Sequence, residues 1–165
     1  MIEVLNSSTA NVIVKDHEGK IIVNQANLYV KRGRKFIREV LNQSFSVDNS
    51  KYVVELGTSA QKPTELDEDI VSPFLDPDQI CIPVDSIDLV GDTEIDFNFS
   101  YTNNSTNSLY FSEMGLFYRP TGLDPDVGPD DRANIGYLLA RLRTTYSNII
   151  ISPNREISII WKIIF

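Results

Sequence analysis

Apolar and polar positions alternate most regularly in two stretches of the chain. Ile95, Phe97, Phe99 and Tyr101 fall on one face of an extended backbone and Asp96, Asn98 and Ser100 on the other, as in a half-buried antiparallel strand. Residues 156–165 repeat the pattern, with Ile157, Ile159, Trp161, Ile163 and Phe165 alternating with Ser158, Ile160, Lys162 and Ile164. Both faces of this closing strand are largely apolar. It is therefore expected to sit between layers, or against a neighbouring subunit on the side that carries Ile160 and Ile164.

Shorter runs fill in the rest. Residues 10–15 and 20–24 are β-branched and flank Asp16-His17-Glu18-Gly19, which predicts an N-terminal hairpin. Across 31–44 the period changes, because Phe36, Ile37, Val40 and Leu41 recur at spacings of one, three and four, and this predicts one helix of about three turns. Strands are expected at 51–57, at 79–90 with a bend or break near Pro83, at 108–118, at 135–143 and at 147–152. Thr102 to Asn107 reads as a turn, and 120–132, rich in proline, glycine and aspartate, as a loop. About eight or nine strands and one short helix point to a mainly β chain, an antiparallel β-sandwich or jelly-roll-like domain. At 165 residues it forms a single domain over 1–165.

Composition adds exclusions. A hydrophobic fraction of 42% and a charged fraction of 23% belong to a chain that folds. The net charge of −8 repels phosphate backbones and anionic headgroups alike, so neither nucleic acid nor a membrane surface is an expected partner. No apolar run reaches the roughly 20 residues of a spanning helix, and residues 1–7 lack a secretion signal. One cysteine, Cys81, and one histidine, His17, cannot complete a cysteine/histidine zinc site.

Candidate chemistry is sparse. His17 is the single imidazole that could serve a nucleophile, and it falls in the predicted hairpin turn. Cys81, between Ile80 and Ile82, reads as a small buried hydrophobe. Asp124, Asp126, Asp130 and Asp131 lack the ligand spacing of a calcium loop and, like the acids of 65–69, read as a solvated loop. No enzyme activity, metal, cofactor or small-molecule ligand is expected. One cluster stands out: Lys31, Arg32, Arg34, Lys35 and Arg38 place five of the fifteen basic residues within eight positions. That run reads either as a solvated helix face or as a docking patch for an acidic neighbour, which in so acidic a chain includes another copy of itself. With Ile160 and Ile164 these five are the candidate subunit contacts.

The order of segments also carries a resemblance. The early hairpin, Gly33-Arg34-Lys35-Phe36-Ile37, the run from Val54 to Pro63, Glu113-Met114-Gly115-Leu116-Phe117, Leu138-Leu139-Ala140-Arg141 and the closing strand around Trp161 resemble, in that order, the small virion structural proteins of tailed bacteriophages. The resemblance covers roughly residues 10–165, and 76–112 match nothing in it. It implies a non-enzymatic structural component, made in the host cytoplasm and assembled into the virion. Its partners would be symmetry-related copies, as a homo-oligomer, and neighbouring virion proteins in the tail, neck or baseplate. Two alternatives stay open. One is a capsid decoration (cement) protein; the other is a carbohydrate-binding sandwich that uses Tyr101, Tyr110, Tyr118 or Tyr137 for host attachment.

Overall fold

The computed structural model describes residues 9–31, 33, 48–74, 82–119, 136–144 and 149–164. The hairpin comes first: β1 (Thr9–Lys15) turns through Asp16 to Lys20 into β2 (Ile21–Tyr29). Asp16 Oδ1 accepts from the N–H groups of Glu18 and Lys20, at 3.0 and 2.9 Å, and Gly19 takes the positive φ of 79° that the turn requires. Strand β2 is longer than the sequence pattern suggests, because 25–29 lack a clean alternation and yet pair.

A single 3-10 turn, Asn49–Lys51, leads into β3 (Tyr52–Gly57). The expected strand over 79–90 is two strands, β4 (Ile82–Pro83) and β5 (Ser86–Val90); Pro83 has no N–H with which to continue a ladder. β6 (Glu94–Thr102) is the alternating strand of the sequence. The expected strand at 108–118 also divides, into β7 (Leu109–Phe111) and β8 (Glu113–Tyr118), which belong to different sheets. β9 (Tyr137–Arg143), β10 (Ile149–Ile151) and β11 (Glu156–Ile164) complete the set. The helix expected over 31–44 lies, apart from Lys31 and Gly33, outside the described residues.

Nine strands form one antiparallel sheet in the order β4-β3-β8-β9-β2-β1-β11-β6-β5, and β10 pairs with β7 separately. The sheet folds over at β2. Residues 21–27 of that strand pair with β1, whereas Leu28 and Tyr29 pair with Arg141 and Ala140 of β9. The opposite corner is closed by the short link between β4 and β5, where the Val84 N–H donates to Tyr52 at 3.1 Å and the Asp85 N–H to Asn98 at 2.8 Å. Two facing layers result, a sandwich-like body with β2-β1-β11-β6-β5 on one side and β4-β3-β8-β9 on the other.

Between them lies the main core. Val12, Val54, Leu56, Phe99, Phe111, Met114, Leu116, Leu139, Ile159 and Trp161 are among its fully buried members, and each such large apolar side chain contributes about 1.5–3 kcal/mol. The Tyr52 and Phe97 rings meet across it at 5.1 Å. Trp161 has a polar partner too: with its amide oriented to satisfy both neighbours, Asn27 accepts from the indole N–H at 2.6 Å and donates to Ala10 at 2.9 Å.

Candidate functional site

The seven predicted contact residues fall into two groups. Lys31 lies two residues past the end of β2; its side chain is exposed and its N–H donates to the Glu65 carbonyl at 2.8 Å. Arg32, Arg34, Lys35 and Arg38 lie outside the described residues. Ile160 and Ile164 point outward from β11, both half-buried. Among the described residues the closing strand does not lie between two layers, as its doubly apolar sequence suggested. It lies between β1 and β6 within one layer, with Ile157, Ile159, Trp161 and Ile163 facing the core.

On that outward face Ile160 sits between Ile13 of β1 and Asn98 of β6, and Ile164 sits between Thr9 and Glu94. Lys162 lies between the two isoleucines and donates to Glu94 at 2.5 Å and to Asp96 at 2.8 Å. Hydrogen bonding to Asp96 and then Glu94 raises the ammonium above its ordinary value, more than burial lowers it. The bond from Lys162 likewise holds the Glu94 carboxyl below its usual range. The ion trio is thus satisfied within one layer, and an apolar pair, Ile13 opposite Ile160, is left facing outward beside it.

The strongest charge cluster is one that sequence reading missed. Arg141, Glu113 and Glu55 are fully buried on strands whose neighbours are apolar, and Arg119, just past the end of β8, is nearly so. Glu113 Oε1 accepts from Arg141 Nε at 2.7 Å and Nη2 at 2.6 Å. The same carboxylate accepts from the N–H groups of Val71 and Ser72, at 2.9 and 3.1 Å. Arg141 further binds Asp67 through Nη1 and donates to the Gln61 carbonyl at 3.1 Å. The bonds to Val71, Ser72, Asp67 and Gln61 fasten the segment 58–74 over the outer face of β3, β8 and β9, and the Arg141–Glu113 pair ties β9 to β8 beneath it. A small second core, Val30, Val53, Ile70, Phe117 and Leu138, fills the space beneath. Arg119 stands 3.8 Å from Glu55 on the same layer.

The expectation of a solvated acidic loop over 65–69 is therefore corrected at Asp67. Burial pushes its carboxyl up, but hydrogen bonds from Thr64 and the Arg141 guanidinium outweigh that and hold it below its ordinary value. The available signal was a glutamate and an arginine inside otherwise apolar strands, each needing a partner once buried. Where those partners came from could not be read, because Gln61 and Asp67 are 80 and 74 residues from Arg141.

Other candidates disperse. His17 is exposed in the hairpin turn, 3.7 Å from Glu18. Cys81 and the aspartates of 124–131 lie outside the described residues. Tyr101 and Tyr118 pack against the main core, Tyr118 at 5.3 Å from Tyr52, and Tyr110 and Tyr137 are the more exposed members of that set. Among the described residues no three histidine, cysteine or carboxylate groups are placed to hold a metal ion. None of their helices is long and apolar enough to cross a membrane. A cavity of about 350 Å³ opens where β2 and β9 diverge, lined in part by Gln25, Lys62, Pro63 and Arg143. Within that lining Gln25 donates to the Arg143 carbonyl at 2.8 Å.

The chain was compared with protein-family profiles, with curated proteins and with solved structures, and it matched none of them.

Proposed function

We propose that the protein is a non-enzymatic structural subunit of a tailed-phage virion, built into the tail, neck or baseplate beside other copies of itself and neighbouring virion proteins. The phage assignment is supported by the ordered run of sequence segments that ends in the strand around Trp161. The assembly role is supported by how the surface is made. The observation that carries it is the isoleucine stripe, with Ile13 directly opposite Ile160 and Ile164 farther along, on the outward face of a central strand held on both sides. A rigid sheet presenting half-buried isoleucines is suited to burial against a second protein. On the same outward face Lys162, between the two isoleucines of β11, is already paired within the chain with Glu94 and Asp96.

Immunogold electron microscopy of particles from the source lysate, with antibody raised against the recombinant chain, tests the assignment. Label on the tail, neck or baseplate is the expected result. Label over the capsid surface would move the protein to the decoration role, and unlabelled particles with a working antibody would overturn the virion reading. Sedimentation tests the surface directly: wild-type chain should self-associate with rising concentration, and Ile160→Lys should remain monomeric.

A further inference from the structure

We propose that β5 is a docking edge for an extended cationic segment of a partner protein, which adds to the nine-stranded sheet as a further strand. The two ends of that sheet are built differently. β4 has two residues, one of them Pro83, so its edge is too short and too poor in donors to template a neighbour. β5 has five residues and no proline, and it pairs with β6 on one side only among the described residues. Its apolar side chains are exposed as well: Leu89 is 73% and Val90 45% accessible. Proteins ordinarily protect such an edge with a lysine, a bulge or a covering loop; here the described residues supply none.

The charges on this edge select the occupant. Asp88 on β5 and Asp85 and Asp92 just outside its two ends are exposed carboxylates, and residues 85–93 contain no lysine or arginine. Asp88 stands directly opposite Asp96 in the ladder, a like-charge pair that costs stability in the free subunit. Asp96 has Lys162, whereas among the described residues Asp88 is held by neutral donors, Asn98 at 2.8 Å and Ser86 at 3.2 Å. A second copy of β5 is a poor partner, since antiparallel self-pairing brings two such acidic stretches together. A lysine or arginine on an added strand lies within about 5 Å of Asp88 on the same face. Ile87 and Leu89 point to the other face, so the residues flanking that cation are apolar. The site therefore reads an apolar-basic-apolar triplet in an extended strand, with main-chain hydrogen bonds supplying affinity and Asp88 the selection.

The inference rests on the assembly reading only for the existence of a natural partner. The edge itself is tested with the full chain and a blocked seven-residue peptide of alternating valine and lysine, against a valine and glutamate control. Hydrogen exchange followed by NMR should show the amides of β5 gaining protection with the lysine peptide, less so as salt rises, and none with the control. Asp88→Lys should weaken peptide binding at least about tenfold while raising the melting temperature, because it removes the Asp88/Asp96 repulsion. Equal protection by both peptides, or protection away from β5, would overturn the proposal. So would concentration-dependent protection of β5 without peptide, which would make a second copy the occupant. Failure here leaves the immunogold result untouched.

Discussion

The two layers of this sandwich share one antiparallel sheet and bury their strands in opposite styles. In the layer of β1, β11 and β6 burial alternates: one face of β11 is buried and the other half-open, and β6 follows suit toward its centre. In the layer of β3, β8 and β9 it does not. All six residues of β3, five of six in β8 and five of seven in β9 are buried, because the second face is roofed by the segment 58–74. The difference teaches what a roof demands. The segment 58–74 satisfies little of its own backbone, with Thr58 donating to Ser72 and Asp67 to Thr64, so the sheet beneath supplies charged groups to meet other polar groups of the roof. Glu113 and Arg141 are those groups.

The largest expected effect follows from removing one of them. Arg141→Ala leaves Glu113 buried without its cation and should cost about 3–5 kcal/mol, read by urea unfolding, with Val71 and Ser72 losing their exchange protection first. Replacing both partners with apolar residues of similar size should recover much of that loss. If the single variant costs no more than a surface mutation, the roof is held by its apolar contacts alone.

Next comes the space beneath the roof. A methyl group added at Gly115 would stand 2.7 Å from both Ile70 and Phe117, so Gly115→Ala should cost about 1–3 kcal/mol by overpacking, measured by thermal unfolding. A smaller effect is pH-dependent. The Asp67 carboxyl is depressed in the folded chain, so its contribution is fully present above its ordinary value of 3.8 and is lost as pH falls through the lower folded value. A series of urea midpoints below pH 4 should therefore show the roof loosening as the Asp67 carboxyl takes up its proton.

The smallest effect belongs to the open layer. Lys162→Met should cost less than about 1 kcal/mol, with the deficit shrinking in high salt, since its ion trio is partly exposed and screened. A loss as large as that of Arg141→Ala would erase the distinction between the layers.

The same contrast explains what the chain's pattern revealed. β6 was legible because it has one polar face, which leaves a period of two in the residues themselves. β11 was legible as a strand, but with isoleucines on both faces its sequence did not show that it lies within one layer with Ile160 and Ile164 turned outward. β3, β8 and β9 showed only as apolar runs, with no indication of which residues faced the roof. The division of 108–118 into β7 and β8 turns on Ser112, whose N–H donates to the Gly57 carbonyl at 2.9 Å, a contact that only the fold creates. Asn103 was legible as a turn residue, but not as a fully buried one whose amide donates to the carbonyls of Asn107 and Ile151 at 2.8 and 2.9 Å. The docking edge at β5 was hidden too, since a strand's place at the end of a sheet depends on the order of all the others.

That order has a consequence for synthesis. β11 follows every other strand along the chain, yet it pairs with β1 and β6 in the middle of the sheet. Until it leaves the ribosome, β1 and β6 each have an open edge, and the hairpin of β1 and β2 waits through more than a hundred residues for its neighbour. A nascent chain halted before Glu156 therefore exposes two sticky strands with a gap of one strand between them. The β11 of a second chain has the same sequence as its own, so strand exchange between chains is the misfolding route this strand order leaves open when synthesis is crowded.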